Sequence, residues 1–403
     1  MGVVAPTRVD VVIVGGGVAG SSLAGVLAAA GLGVVVVERE PRFRDRIRGE
    51  ALHPWGAAEA ARLGLVESLA AAGALPLPVW QTYDDRVPNP PYQWRDDAPD
   101  DRVEWGVPHA ALQTVLLDRA AEMGATVIRP ASAARARSMP GGVEVEVESE
   151  QGPLALRARL LVGADGRRST VRRWLGANLV ADPPHHEIGG VLVAGAGLDP
   201  ASAHVARWPG GMSTYFPQAG ERGRAYWIRG ARSGPAAGAA AQIVREAADR
   251  FPPGAFAEAV VAGPAAFFSC SDVWPTARHG DGIVLVGDAA GANDPAQGHG
   301  LSLAFHDARL LGDLLTSERD WDAALSAFGR ERAAVGETLL EHGRWAGVLT
   351  IDEGPEADRL RERAARARDA DPSAGGFAGI YLFGPGGLVA DDAARRQYFG
   401  EAL

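Results

Sequence analysis

One stretch constrains the fold more than any other: Asp10-Val11-Val12-Ile13-Val14-Gly15-Gly16-Gly17-Val18-Ala19-Gly20, running on into Ser21-Ser22-Leu23-Ala24. The apolar, β-branched run predicts a buried strand of a parallel sheet. Glycines at 15, 17 and 20 predict a tight turn, a backbone open to a pyrophosphate, and a helix packed closely on the strand. The free N–H groups and positive dipole end of that helix suit two phosphates. A second apolar run, Val34 to Val37, ends in Glu38, where an acid takes the ribose hydroxyls of an adenine dinucleotide. A glycine-rich turn alone is common in α/β proteins; this one has the strand, the helix and the acid around it.

At 403 residues the chain is long for one core, which points to two interleaved domains. A formal net charge of −10 argues against nucleic acid or an anionic membrane as partner. There is no lysine, which excludes a Schiff-base mechanism. Cys270, the only cysteine, excludes an internal disulfide and a cysteine metal cluster, and its apolar neighbours predict a buried strand. No run of about 18 apolar residues occurs, so a cytoplasmic protein is expected. His53 and the pair His185-His186 are expected to be structural or solvated. No two histidines show metal-ligand spacing with acids, so no metal is expected.

The expected architecture is α/β, with a Rossmann-like nucleotide-binding domain interleaved with an antiparallel-sheet substrate domain. Residues 1–75, 102–180 and 276–350 are assigned to the first, 76–101 and 181–275 to the second, and 351–403 to C-terminal helices and a tail. Residues 76–101, rich in Pro, Trp and acids, suit irregular edge strands. Strands are expected near 126–128, 143–147, 154–162, 188–193, 213–216, 225–228 and 283–286. Helices are expected near 54–63, 110–123, 239–250 and 300–315, and over most of 323–370. The tail, with Gly375-Gly376 and Gly384-Pro385-Gly386-Gly387, gives no assignment.

Two further clusters carry chemistry. In Leu161-Val162-Gly163-Ala164-Asp165-Gly166-Arg167, a strand delivers an acid and a glycine into a turn. In Val284-Leu285-Val286-Gly287-Asp288, then Asp294-Pro295-Ala296-Gln297-Gly298-His299-Gly300-Leu301, a strand again presents an acid at its carboxyl end, where α/β sheets bind ligands. A helix starting at 298–301 would aim N–H groups at an electron-rich ring.

In this order and spacing, the three clusters resemble the FAD-dependent monooxygenases of the class A, para-hydroxybenzoate hydroxylase type, over roughly residues 9–315. The resemblance implies FAD and NAD(P)H as cofactors. It implies FAD contacts from Gly15, Gly17, Gly20, Glu38 and the adjacent Arg39. Asp165 and Gly166 would serve both cofactors, and Gly287 and Asp288 the ribityl chain. Arg46 and Arg48 resemble arginines that contact FAD and assist NADPH. Pro295, Gly298, Gly300 and Leu301 would lie against the flavin ring, with Phe216, at the end of a Tyr-Phe-Pro strand, across from them. Pro295, His299 and Phe216 are the candidates for the reaction zone.

The chain departs from the family at three points. Gly291 stands where a histidine is usual. Gly298-His299-Gly300-Leu301-Ser302 replaces Gly-Gln-Gly-x-Asn. His109 stands where an Arg or Gln touches FAD. For His299, a donor to the flavin and a cap on the helix are equally open readings. The implied activity is hydroxylation or epoxidation of an aromatic or polyketide-like small molecule, using NAD(P)H and O₂ through a flavin C4a-hydroperoxide. A flavin halogenase is set aside, because its lysine and Trp-x-Trp-x-Ile-Pro motif are missing. A flavin-dependent reductase or oxidase of the same superfamily, or a redox-idle FAD-binding cyclase or scaffold, are the alternatives.

Overall fold

The computed structural model describes residues 6–98, 100–230, 239–370 and 377–401; Gly375-Gly376 lies outside them. Its first sheet is built on parallel strands. Thr7–Val14 lies between Gly152–Gly163 and Val34–Val37; Ile283–Leu285 pairs beyond the first of these and Thr126–Ile128 beyond the second. The register positions the site. Val14 is opposite both Gly163 and Val37, and Gly163 is opposite Leu285. Four strands therefore end level, and the residues that follow them emerge on one edge.

These strands are buried on both faces, which is why they read as continuous apolar runs. Val11 and Ile13 face a core with Leu23, Leu27, Leu116, Phe305 and Leu311 from the helices Val18–Ala29, His109–Glu122 and Gly300–Ser317. Val12 faces the other way, toward Val143, Val145 and Val147. Those valines belong to Gly142–Ser149, paired antiparallel with Ala131–Met139 and with the first half of Gly152–Gly163.

The second sheet runs in the order Val260–Cys270, His186–Ala194, Arg222–Gly230, Gly211–Gln218, Ser202–Trp208, Val79–Asp84, Val87–Pro88, with Tyr92–Gln93 also on Val79–Asp84. It departs from a purely antiparallel sheet at one place: Ser202–Trp208 and Val79–Asp84 are parallel. These strands come from separate excursions of the chain, so no hairpin forces them antiparallel. Cys270 is free and fully buried at a strand end. Directly paired residues share a face, so Met212, Thr214, Phe216, Arg224, Tyr226 and Ile228 point to one side. Tyr215, Ala225 and Trp227 point to the other, under Ile243 and Ala247 of the helix Ala239–Ala248.

The tail contains helices where composition gave none. Phe377–Phe383 buries Ile380, Tyr381 and Leu382 against Trp55, Trp94, Leu303 and Leu339, and Asp392–Tyr398 follows. Trp94–Asp97 forms one helical turn inside the segment expected to be edge strands, with Trp94 in that same cluster. Among the described residues no helix is long and apolar enough to cross a membrane.

Candidate functional site

Each level strand end contributes one element. After Thr7–Val14, Gly15 takes φ +109°, and a Cβ there would lie 2.3 Å from the Ala164 carbonyl oxygen. A Cβ on Gly20 would lie 2.0 Å from the Gly15 carbonyl oxygen. Both glycines are therefore required by strand–helix packing. Gly17 is different. It precedes the helix Val18–Ala29 with φ −72°, and the nearest atom to its Cβ position is Gln113 Nε2, 3.6 Å away. Its side is open, no side chain caps the helix, and the first turn carries no acid. A helix end left open in this way suits an anion.

After Val34–Val37, buried Glu38 folds over this turn: Oε2 accepts the Gly16 N–H at 2.7 Å and Oε1 the Glu40 N–H at 2.7 Å. Each oxygen keeps acceptor capacity for a ribose. After Gly152–Gly163, Asp165 Oδ2 accepts the Thr170 N–H at 2.6 Å, while Oδ1 is buried without a hydrogen-bond partner. Gly166 follows at φ +78° with open space at its Cβ position. After Ile283–Leu285, Gly287 takes φ +57° and donates its N–H to Asp307 Oδ2 at 2.7 Å, itself 3.1 Å from Arg332 Nε. That buried pair fixes the turn and leaves Asp288 half-exposed at the edge. Asp307, on a helix that reads as apolar, was not singled out by sequence. The open cradle at Gly17 and Gly166 and the orphaned Asp165 Oδ1 fit an extended dinucleotide such as FAD.

Beside this edge lies the Pro295 loop. Asp294 Oδ1 accepts the Ala296 N–H at 2.9 Å, capping the short turn Pro295–Gln297. Gly298 takes φ +72°, and a Cβ on it would sit 2.8 Å from His53 Nε2. Leu301 is buried in the helix Gly300–Ser317, and Gly300 is exposed with nothing within 4 Å of its Cβ position. His53 supports the loop from beneath, with Nε2 2.8 Å from the Gln297 carbonyl oxygen and Nδ1 3.1 Å from Glu104 Oε1. It is buried and bonded at both ring nitrogens rather than solvated.

His299 does not cap the helix by its side chain, and both its ring nitrogens are buried without partners. The ring stacks on Tyr381 at 5.4 Å and meets His53 edge-on at 5.1 Å, with Trp55 and His342 alongside. Burial holds its pKa well below the ordinary range. The capping alternative is thus corrected, and the reason is the tail helix, whose Tyr381 draws the imidazole into an aromatic cluster.

The arginine-rich loop crosses the second sheet. Arg39, Arg46 and Arg48 are exposed, with Arg46 Nη2 donating to Glu40 Oε1 at 2.8 Å. Arg224 Nη2 donates to Asp45 Oδ1 at 2.6 Å, and Arg224 Nε lies 3.2 Å from Glu50 Oε1. Arg224 Nη1 is buried without a hydrogen-bond partner. Glu50 also contacts the Tyr226 hydroxyl, which lies 2.9 Å from the Arg48 carbonyl oxygen. Burial raises the Glu50 pKa to about 8, against the opposing charge of Arg224. Tyr226 donates its hydroxyl to Glu50 Oε2. Glu50, Arg224 and Tyr226 were missed from sequence; an Arg at an inward position of the strand Arg222–Gly230 was the available signal. Half-buried His109 begins the helix His109–Glu122 with Nδ1 3.1 Å from the Gly49 carbonyl oxygen. Desolvation and then Arg48 push its pKa down to about 4.

The structure gathers Phe216 with Met212, Tyr226, Ile228 and Ala51 in one apolar cluster, with Ile47 and Ala296 at its edge. Phe216 and the Pro295 loop are thus brought to the same cluster, while the His299 side chain lies among Trp55, His53, His342 and Tyr381.

A family model described as FAD binding domain matches residues 8–342. The chain is 30% identical over 345 residues to digeranylgeranylglycerophospholipid reductase 1 of Methanopyrus kandleri, spanning 79% of this chain and 83% of that protein. It is 27% identical over 364 residues to the rifampicin monooxygenase of Streptomyces venezuelae, spanning 87% and 74%. In fold it is similar to p-nitrophenol 4-monooxygenase from Pseudomonas putida DLL-E4, with a TM-score of 0.77 at 20% identity over 98% of this chain and 97% of that one.

Proposed function

Since this chain belongs to the FAD binding domain family, we propose that it is an FAD-dependent monooxygenase that takes electrons from NAD(P)H and inserts one atom of O₂ into an apolar, aromatic or polyketide-like small molecule. The observation that supports it most is the level ending of four parallel strands, which sets Gly17, Glu38, Asp165 and Asp288 on one edge beside the Pro295 loop. Bound FAD would supply the electron transfer and the reaction with O₂.

The chain's residues do the rest. The helix end behind Gly17 would take the pyrophosphate, Glu38 the adenosine ribose, and Asp288 the ribityl hydroxyls. The backbone at Gly298 and Gly300 would allow close approach of the ring, and the N–H end of the following helix would stabilise negative charge on it. Arg46 and Arg48 would meet phosphates of NAD(P)H with planar forks. The Phe216 face would hold the substrate and exclude water.

A second reading, reduction of an isoprenoid double bond, draws on the identity to the geranylgeranyl-type reductase. One experiment separates them: incubate the protein with NADPH and a panel of phenols, polyketides and polyprenyl lipids under ¹⁸O₂, and weigh the products. A label in the product supports oxygen insertion. A product two hydrogens heavier, formed equally well without O₂, overturns it in favour of the reductase.

A further inference from the structure

We propose that His185, His186 and Asp294 form a divalent-metal site of zinc type at the junction of the two sheets. His185 and His186 stand where the strand His186–Ala194 begins; Asp294 comes from the loop 108 residues further on, so no local spacing announces the group. One donor atom from each residue lies within 4.8 Å of the other two. The contacts are 2.7 Å from His186 Nε2 to Asp294 Oδ1, 2.8 Å between the two Nδ1 atoms, and 3.9 Å from His185 Nδ1 to Asp294 Oδ2. A tetrahedral ion with bonds of about 2.0–2.1 Å needs one donor from each residue about 3.3 Å apart; the three donor atoms lie within 4.8 Å of one another, and the side chains would close on the ion by rotation, giving up the present hydrogen bonds between them.

The surroundings suit a cation. Asp272 and Asp294 are both 4% exposed, and they bring two carboxylates to one spot. Asp272 is placed as a positioning residue: its Oδ1 accepts the Asp294 N–H at 2.8 Å, and its Oδ2 lies 3.5 Å from His185 Nε2. A carboxylate on the far nitrogen of a ligating histidine fixes ring and tautomer. Nearby Arg167 is engaged elsewhere, donating to the Ser271 carbonyl oxygen at 3.0 Å. The His185 side chain is 37% exposed, which gives an ion a path in and leaves a fourth position for water. Two imidazoles with one carboxylate favour Zn²⁺ over Mg²⁺ or Ca²⁺, which prefer all-oxygen sets. The ion would tie the second sheet to Asp294, the residue that caps the Pro295 turn.

The test uses the full chain with its flavin, stripped by a chelator and titrated with Zn²⁺ alone in a calorimeter. One Zn²⁺ per chain is expected with sub-micromolar affinity, weakened at least a hundredfold in His185→Ala and in Asp294→Asn, with no comparable binding of Mg²⁺. His185→Ala is the informative variant, because its side chain is partly exposed and its own melt without metal reads any loss of fold. Zn²⁺ should raise the thermal midpoint of the wild type and leave that of His185→Ala unmoved. Failure of the wild type to bind stoichiometrically, or equal binding by His185→Ala, overturns the proposal, whatever the protein's activity proves to be.

Discussion

Gly17 and Gly20 lie three residues apart in one motif, yet they should fail in different ways. In Gly20→Ala the new Cβ would fall 2.0 Å from the Gly15 carbonyl oxygen and 3.0 Å from Ala164 Cβ. Real Cβ atoms essentially never come within 3.0 Å of such neighbours, so backbone must shift by about 1 Å. Overpacking of this kind costs about 1–3 kcal/mol, and with backbone as the obstacle the upper half of that range is expected. In Gly17→Ala the Cβ meets only Gln113 Nε2 at 3.6 Å, and φ is already negative. The small loss at the N-cap is offset by a less flexible unfolded chain, so stability should stay within about 0.5 kcal/mol of wild type. The methyl would instead stand where the helix end meets a pyrophosphate. FAD affinity should fall tenfold or more, which is about 1.4 kcal/mol. Urea unfolding of the FAD-free proteins reads the first quantity, and FAD titration followed by flavin fluorescence reads the second. A Gly17→Ala protein that binds FAD like the wild type would refute the placement of the pyrophosphate.

Three further outcomes are expected. Asp288→Ala should weaken FAD ten- to a hundredfold in the same titration, because hydrogen bonds to a charged acceptor are worth about 1.5–3 kcal/mol. Phe216→Ala, which empties a buried position on the sheet face, should raise the substrate KM by up to about a hundredfold, while stopped-flow flavin reduction without substrate keeps its rate. Glu50, raised from 4.5 to about 8, holds its proton in the fold after the unfolded chain has lost it. Its stabilising contribution is therefore full below about pH 4.5, declines as pH rises, and is gone above about pH 8. Glu50→Gln should flatten that part of the stability profile in denaturant melts.

The nucleotide half was legible because its signals are local. Val11 to Val14, the glycines and Glu38 need only their neighbours to declare a strand, a turn and an acid at a strand end. Level registration of the four ends is a consequence of pairing, yet each end carried its own marker in Gly15, Glu38, Asp165 or Asp288. What escaped depends on contacts distant in sequence. Ala131–Met139 carries Arg, Ser and Ala on an exposed hairpin, so alternation had little to act on. The tail helix Phe377–Phe383 is held by Trp55, Trp94 and Leu339 rather than by its own periodicity, and its Tyr381 turns His299 away from a capping role. Glu50 meets Arg224, and His186 meets Asp294, only after the two sheets have come together.

The most direct measurement is a titration of the full chain with FAD, following absorbance and flavin fluorescence to saturation. The level strand ends, the open Gly17 side and the unpartnered Asp165 oxygen predict a yellow protein that takes up one FAD per chain and whose bound flavin is bleached by NAD(P)H. A colourless chain that leaves flavin fluorescence unchanged at saturating FAD would contradict the account at its foundation.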